Sequence, residues 1–505
     1  MFFPDFETFK KLSAKGNLIP VMVPLLADLE TPVSAFAKLT RGLKSEHCFL
    51  FESVVGGERM ARFSYLGADP GTVLATRGRE ARLKEGSAWR TFRVERDPLA
   101  EIEGLLKRYR GVPVPGLPPF WGGAVGYLSY DCVRFFESIG DKNPDTLGFP
   151  ETLHYLTDTL VAFDHVEHQM KVIALAHLKS RGPAGAARAY REACGRIRGI
   201  LGRLSGPLPR MDAPARARAA QGGPWSSNLG REEFLAGVER CKEYVRAGDV
   251  IQVQYGRRLT KETQASGFSI YRQLRRLNPS PYMFYFQQGG RKLIGASPEI
   301  LVTVEGDKAT IRPIAGTRRR GHGPEDDLAM ERDLLADPKE RAEHIQLVDL
   351  ARNDVGRVSR PGSVKVTELM TVERYSHVMH IVSDVQGRLK PGATAFDALR
   401  AAFPAGTVAG SPKIRAMQII DEMENTRRGP YGGALGFASF SGDINEALVI
   451  RTLMMDGRRV SAQASAGIVA DSRPELEFKE TENKLRAVVK AVELAEGELK
   501  KGGRP

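Results

Sequence analysis

The chain has 505 residues, 42% apolar and 27% charged, too long for one ordinary core and too apolar for disorder, so about two packed domains are expected. Its net charge of +13 favours an anionic partner (nucleic acid, phospholipid head groups or a small polycarboxylate) without choosing among them. Cys48, Cys132, Cys194 and Cys241 are scattered without Cys-x-x-Cys spacing, which speaks against a zinc module or a disulfide framework and fits a reducing compartment.

Met1 to Lys11 mix Phe with Asp5, Glu7 and Lys10, so no secretion signal is visible. The most apolar early run, 18–29, is broken by Pro20 and Pro24, and no stretch approaches the ~20 apolar residues of a membrane helix, so a cytoplasmic protein without a membrane segment is expected. Residues 48–55, 62–66 and 160–163 predict strands, and the Gly-rich 121–130 predicts a strand entered through a tight turn. A basic helical stretch at 187–203 leads into 206–221, rich in Pro, Ala and Arg, which is the best linker. This divides the chain into an N-terminal region 1–204, a linker 205–226 and a second region 227–497. After the linker Ser227 and Asn228 offer N-caps, and Phe234, Val238, Cys241 and Val245 recur at helical spacing up to Gly248. A strand at 250–255 should follow. Further strands are predicted at 282–286, 300–304, 434–440 and 447–453, with helices at about 340–353, 412–425 and 474–496 between and after them. The pattern predicts an α+β fold with a large sheet system under helical cover.

Chemistry is sought where polar residues occupy core-facing positions. Glu343 shares a helix face with Leu347 and Leu350, and a buried carboxylate is costly unless it is paired or holds a cation. A neighbouring Arg satisfying a helix-start Glu remains the alternative. In the last helix Glu477, Glu480, Thr481 and Lys484 run into the apolar stripe Leu485, Val488 and Val492. Two Glu converging from separate helices, with open positions beside them, suit Mg2+; a solvated Glu480–Lys484 ion pair is the other reading. The glycine-rich stretches 313–321, 427–437 and 464–472 let backbone amides approach a ligand, though none is a dinucleotide or P-loop fingerprint. Arg451 interrupts an apolar run, where a carboxylate clamp is the natural use of a guanidinium.

Seven segments, NPSPYMFYF, IGASPEILV, PIAGTR, EHIQLVDLARNDVGRV, YSHVMH, AGTVAGSPKIRAMQIIDEMENTRRGPYGGALGF and ETENK, resemble in order and spacing the chorismate-utilising enzymes, most closely the anthranilate synthase component I family. The match is strong over about 227–492 and looser before it, through TPVSAFAKL, FLFESV, RFSYLG and GGAVGYLSYD. The resemblance implies two large antiparallel sheets packed as a sandwich with helices outside, 1–204 contributing to a chorismate-binding catalytic region at 227–497. It implies a lyase that converts chorismate and ammonia to anthranilate and pyruvate, the first committed step of tryptophan biosynthesis.

It also implies roles. Mg2+ would be held by Glu343 and Glu480, the positions the burial argument had already flagged. Chorismate would contact Gly316, Thr317, Tyr431, Arg451, Ser465, Ala466 and Gly467, with Lys484 nearby. Glu299 would protonate the departing C4 hydroxyl, His344 and Thr407 would line the ring, and His380 would assist pyruvate elimination. Members that use water place a Lys base where this chain has Gln252; ammonia does not need it. Component I of aminodeoxychorismate synthase, the runner-up, carries a Lys at the position of Ala315. The QVQYGRR segment (252–258) and Gln346 depart from the usual pattern. Feedback tryptophan would bind Glu52, Ser53, Pro281, Tyr282 and Met283. The sequence shows no glutaminase, so the resemblance implies a glutamine amidotransferase partner, in a heterotetramer. A nucleic-acid role is disfavoured because basic residues are dispersed and no binding module is present.

Overall fold

The computed structural model describes residues 1–43, 47–54, 62–180, 182–209, 223–321, 323–375 and 378–501, the side chains of 499–501 excepted. Most of the expected linker, and Ser376 and His377 of the YSHVMH segment, lie outside the described residues.

Among the described residues, two antiparallel sheets of 12 strands each make up the fold. The first runs, edge to edge, through Leu18–Leu26, Gln169–His177, Thr159–Asp164, Phe63–Ala68, His47–Glu52, Tyr282–Gln288, Arg291–Ser297, Thr452–Asp456, Arg459–Ile468, Gln252–Glu262 and Ser226–Ser227, with Gly410–Ser411 paired to Gln252–Glu262. The second runs through Ile314–Arg319, Val378–Arg388, Lys308–Ile311, Ile300–Glu305, Ile444–Leu448, Ala434–Ser439, Gly123–Leu128, Thr152–Thr157, Thr72–Arg77, Glu80–Glu85 and Ala88–Arg93, with Lys365–Arg374 beside Val378–Arg388. Each sheet takes strands from both sides of the linker.

The inner faces meet in a core that pairs Phe49, Phe284, Phe286 and Met454 of the first sheet with Val125, Tyr127, Tyr155 and Leu435 of the second. Tyr155 and Phe286 stack across it with centroids 4.7 Å apart. Helices Pro32–Thr40, Pro183–Leu204, Gly267–Leu277 and Pro474–Lys501 cover the outer face of the first sheet, and Pro98–Leu106 and Ala395–Ala402 that of the second. The α+β sandwich with external helices is therefore the observed fold.

Local chemistry explains where the elements depart from expectation. The 18–29 run forms an edge strand, Leu18–Leu26, in spite of its prolines. On its outer edge the Leu18 N–H donates to Arg110 and the Met22 N–H to Phe3, while Pro20 and Pro24 have no N–H to leave unpaired. The helix after the linker starts at Arg231 with Gly230 as its N-cap, whose N–H donates to the Glu233 carboxylate at 3.3 Å. Ser227 is spent in a two-residue strand and Asn228 accepts from the Arg258 N–H, so neither caps the helix. The expected strand at 447–453 is two strands. The chain leaves the second sheet at Leu448 and enters the first at Thr452, turning at Arg451 with φ +52°. The four cysteines are buried and form no disulfide among the described residues.

Candidate functional site

Lys484, one turn into the apolar part of the last helix, is the hub of a polar cluster drawn from both sheets and two helices. Its ammonium bridges Glu480 at 2.6 Å and donates to the Ser465 carbonyl at 2.8 Å. Burial raises the carboxyl pKa of Glu299, Glu343 and Glu477, and Lys484 partly opposes the rise in each. The helix Pro338–Val358 carries Glu343 to this point, where burial pushes its carboxyl up and the charges of Glu340 and Glu480 push it further. The Gln252 side chain lies close enough to oppose that rise. Like charges held together in a partly dry place need a cation, and the donor set is hard carboxylate oxygen with Lys484 alone against it. Glu343 and Glu480 therefore fit a divalent cation; the Glu480–Lys484 ion pair expected as the alternative is also present.

Glu299 follows the strand Arg291–Ser297. It is 5% exposed, accepts a hydrogen bond from the Thr407 hydroxyl at 2.7 Å, and burial raises its pKa to about 8. It is therefore a carboxylic acid at neutral pH, able to give up a proton. Its backbone is fixed from two sides. The Leu448 N–H donates to the Glu299 carbonyl at 3.0 Å, and the Ser297 hydroxyl donates to the same oxygen at 3.2 Å.

His380 and Arg451 supply a base and a cation. The His380 Nδ1–H donates to the Gly316 carbonyl at 2.8 Å, so in the neutral ring Nε2 keeps its lone pair. Burial and the nearby Arg451 lower the His380 pKa, which holds the ring neutral. Gly316 adopts φ +65°, the left-handed turn that lets its carbonyl reach His380, and Thr317 lies 3.1 Å from the same ring nitrogen. The Arg451 guanidinium makes no hydrogen bond or ion pair among the described residues, and burial lowers its pKa while Tyr431 and Glu480 raise it. A buried guanidinium of this kind is suited to binding a carboxylate. Tyr431, Ser465 and the Ala466 and Gly467 backbone lie alongside, the Tyr431 hydroxyl 3.0 Å from Ser465 Oγ.

His344 is fully buried. Its Nε2 shares a hydrogen bond with Ser383 Oγ at 2.6 Å, its Nδ1 has no partner among the described residues, and burial lowers its pKa to about 4. Ser383 and Gln254 are the polar contributors that the sequence reading missed. Gln254 shares a strand face with Gln252 at period two, which was the available signal.

A separate cavity of about 260 Å³ lies between the sheets, lined by Glu52, Ser53, Pro281, Tyr282 and Met283 together with Arg62, Phe437, Asn445 and Ala447. Pairing of Met283 with Glu52 brings the two sequence segments together. Buried Glu52 is held by the Tyr271 hydroxyl and by Arg275 Nε at 3.0 Å.

The family model described as chorismate binding enzyme matches residues 46–490. The chain is 42% identical to the anthranilate synthase component 1 of Acetivibrio thermocellus, over 99% of this chain and 100% of that one. It is 46% identical to that of Pseudomonas putida, covering 97% and 98% respectively. Among solved structures, anthranilate synthase component I from Streptococcus pneumoniae aligns with TM-score 0.74 and 35% identity, covering 92% of this chain and 98% of that chain. The menaquinone-specific isochorismate synthase of Escherichia coli aligns with TM-score 0.70 at 16% identity, over 97% and 100%, a likeness of fold.

Proposed function

The chain belongs to the chorismate binding enzyme family, and from that premise we propose that it is the large subunit of an anthranilate synthase, a lyase that turns chorismate and ammonia into anthranilate and pyruvate. The observation that carries the reading is Glu299, an acid protonated at neutral pH beside Thr407 and within the field of Lys484. Ammonia forms a C–N bond at C2 as the ring double bond shifts and the C4–O bond breaks. Glu299 gives its proton to the departing hydroxyl, which leaves as water, and the added nitrogen loses one proton. His380 Nε2 then takes the C2 proton, the bond from C3 to the enolpyruvyl oxygen breaks and the ring becomes aromatic; the released enolpyruvate takes up a proton at its methylene carbon and departs as pyruvate. Arg451 and Tyr431 support recognition of one substrate carboxylate, and Lys484 with the Ala466–Gly467 backbone supports recognition of the other. Glu343 and Glu480 would hold Mg2+, which when bound offsets the charge of a substrate carboxylate and of both glutamates. Ala315 has no amine with which to form a covalent adduct, which favours anthranilate over the aminodeoxychorismate product.

Ammonia would come from a glutamine amidotransferase subunit, in a heterotetramer. Tryptophan in the inter-sheet cavity would act as feedback inhibitor in the tryptophan pathway. Support for that coupling is structural. Tyr282 pairs with Ser297 and Ala447 adjoins Leu448, so two cavity-lining residues flank the two groups that fix the Glu299 backbone. No helix among the described residues is long and apolar enough to cross a membrane, which accords with a cytoplasmic location. The test is product identification: the purified chain with chorismate, Mg2+ and ammonium should release anthranilate and pyruvate in equal amounts, and should not use glutamine. Release of 4-amino-4-deoxychorismate overturns the reading.

A further inference from the structure

The departure at Gln254 has a structural consequence in the cluster. Gln254 is 6% exposed and its side chain lies on the same strand face as that of Gln252. Its Oε1 accepts the Ser465 hydroxyl proton at 2.8 Å. Ser465 has only that one proton to give, so across the 3.0 Å Tyr431–Ser465 contact Tyr431 is the donor, and the relay runs from Tyr431 through Ser465 to Gln254. Fixing Oε1 also fixes the amide nitrogen. Gln254 Nε2 lies 2.9 Å from the point where a Cβ on Gly467 would sit, and Gln252 Nε2 lies 2.4 Å from the same point. Gly467, having no Cβ, thus lets the two amide NH2 groups pack against the backbone of the strand that carries Ser465 and Ala466. Gln254 uses its Oε1 on Ser465, and its Nε2 donates no hydrogen bond among the described residues. The strand beneath is clamped, because the buried Arg428 donates to the Gln254 carbonyl at 2.9 Å and its ion-pair partner Glu424 accepts from the Gly256 N–H at 3.0 Å.

We propose that Gln254 is a substrate-orienting residue: its Nε2 donates to a carboxylate of the bound substrate, beside the Ala466–Gly467 backbone, while its Oε1 locks the Ser465–Tyr431 relay. This rests on the reading of the site as a chorismate site. A neutral donor held in a rigid strand adds a hydrogen bond to the anion without the desolvation cost of another buried cation.

The experiment measures chorismate KM and kcat with ammonium, chorismate Kd in Mg2+-free protein, and Tm, for the full chain and two variants. Gln254→Met keeps the volume and removes both polar atoms; Gln254→Asn keeps the amide and retracts it by one methylene. Both should raise KM and Kd about tenfold, the loss expected for a hydrogen bond to a charged group, with kcat within about twofold. Wild-type KM and Kd in the Asn variant, or a lowered Tm with unchanged Kd in the Met variant, overturns the proposal. If the wild-type chain itself neither binds nor consumes chorismate, the underlying site reading fails instead.

Discussion

Replacing Glu299 with Gln tests the acid directly, because catalysis and stability should move in opposite directions. Burial raises the carboxyl from 4.5 to about 8, which at 1.36 kcal/mol per pH unit disfavours the buried carboxylate by about 5 kcal/mol. Between those pH values the folded chain holds a proton that the unfolded chain has released, so stability falls as pH rises through the window and the full penalty is present above pH 8. Gln has no such penalty. The variant should match the wild type near pH 4 and exceed it at pH 9, by up to about 5 kcal/mol, in urea unfolding read by tryptophan fluorescence. Gln also cannot protonate the C4 oxygen, so kcat should fall about 10²- to 10⁴-fold, and the decline of wild-type activity through about pH 8 should disappear from the residual rate. A stability difference that is equal at pH 5 and pH 9, or a kcat within threefold of wild type, refutes the assignment of Glu299 as a buried acid.

Chelation should abolish turnover, and Glu343→Gln or Glu480→Gln should weaken Mg2+ binding in a calorimetric titration at least about tenfold; because the Glu343 carboxyl is raised and metal binds only its ionised form, affinity should fall as pH is lowered. Full activity in excess EDTA sinks this. His380→Met should let an amino intermediate accumulate while chorismate consumption continues, since the variant lacks the free Nε2; a complete halt in consumption, followed by chromatography, would place His380 in the first step instead. Tryptophan should weaken chorismate binding roughly 5- to 150-fold, and chorismate should weaken tryptophan binding equally, with Ser53→Phe relieving the effect by filling part of the cavity. An unchanged chorismate dependence at saturating tryptophan removes the regulatory reading.

The helical glutamates of the candidate site, Glu343 and Glu480, were legible for a local reason. A carboxylate on an apolar helical stripe, as Glu343 is beside Leu347, violates the helix's own pattern, and such violations mark sites. Glu299 carried no comparable mark. It sits at a strand end among small residues, and only the family resemblance singled it out; its acidity depends on burial under elements about a hundred residues away, Thr407 among them. Gln254 was missed because its strand is buried on both faces from Gln252 to Arg258, so no alternation separates a structural side chain from a functional one. The capping error at Ser227 and Asn228 has the same character in reverse. Good capping residues were present, but strand pairing with Leu259 took Ser227, the Arg258 N–H took the Asn228 side chain, and Gly230 became the N-cap.

Arg451 shows most clearly what one-dimensional reading leaves out. ALVIRTL reads as one strand with a single charged residue in it, and each half is a strand. Membership of a sheet is decided by partners far away: Ala447 pairs with Ile300, while Leu453 pairs with Ile294 and Ala462, in the other sheet. The residue between must turn from one sheet to the other, and it does so at positive φ, a conformation costly for a β-branched residue and tolerable for a long unbranched one. A backbone that turns there cannot continue either ladder, so the Arg451 side chain is released from strand alternation and stands beside Tyr431, Glu480 and His380. The same turn keeps Leu448 in register to hold Glu299 while Ala447 lines the inter-sheet cavity. One crossover between sheets thus places the buried Arg451 guanidinium and anchors the Glu299 backbone, and it does so beside the inter-sheet cavity, where a bound ligand would act on the strands that hold both.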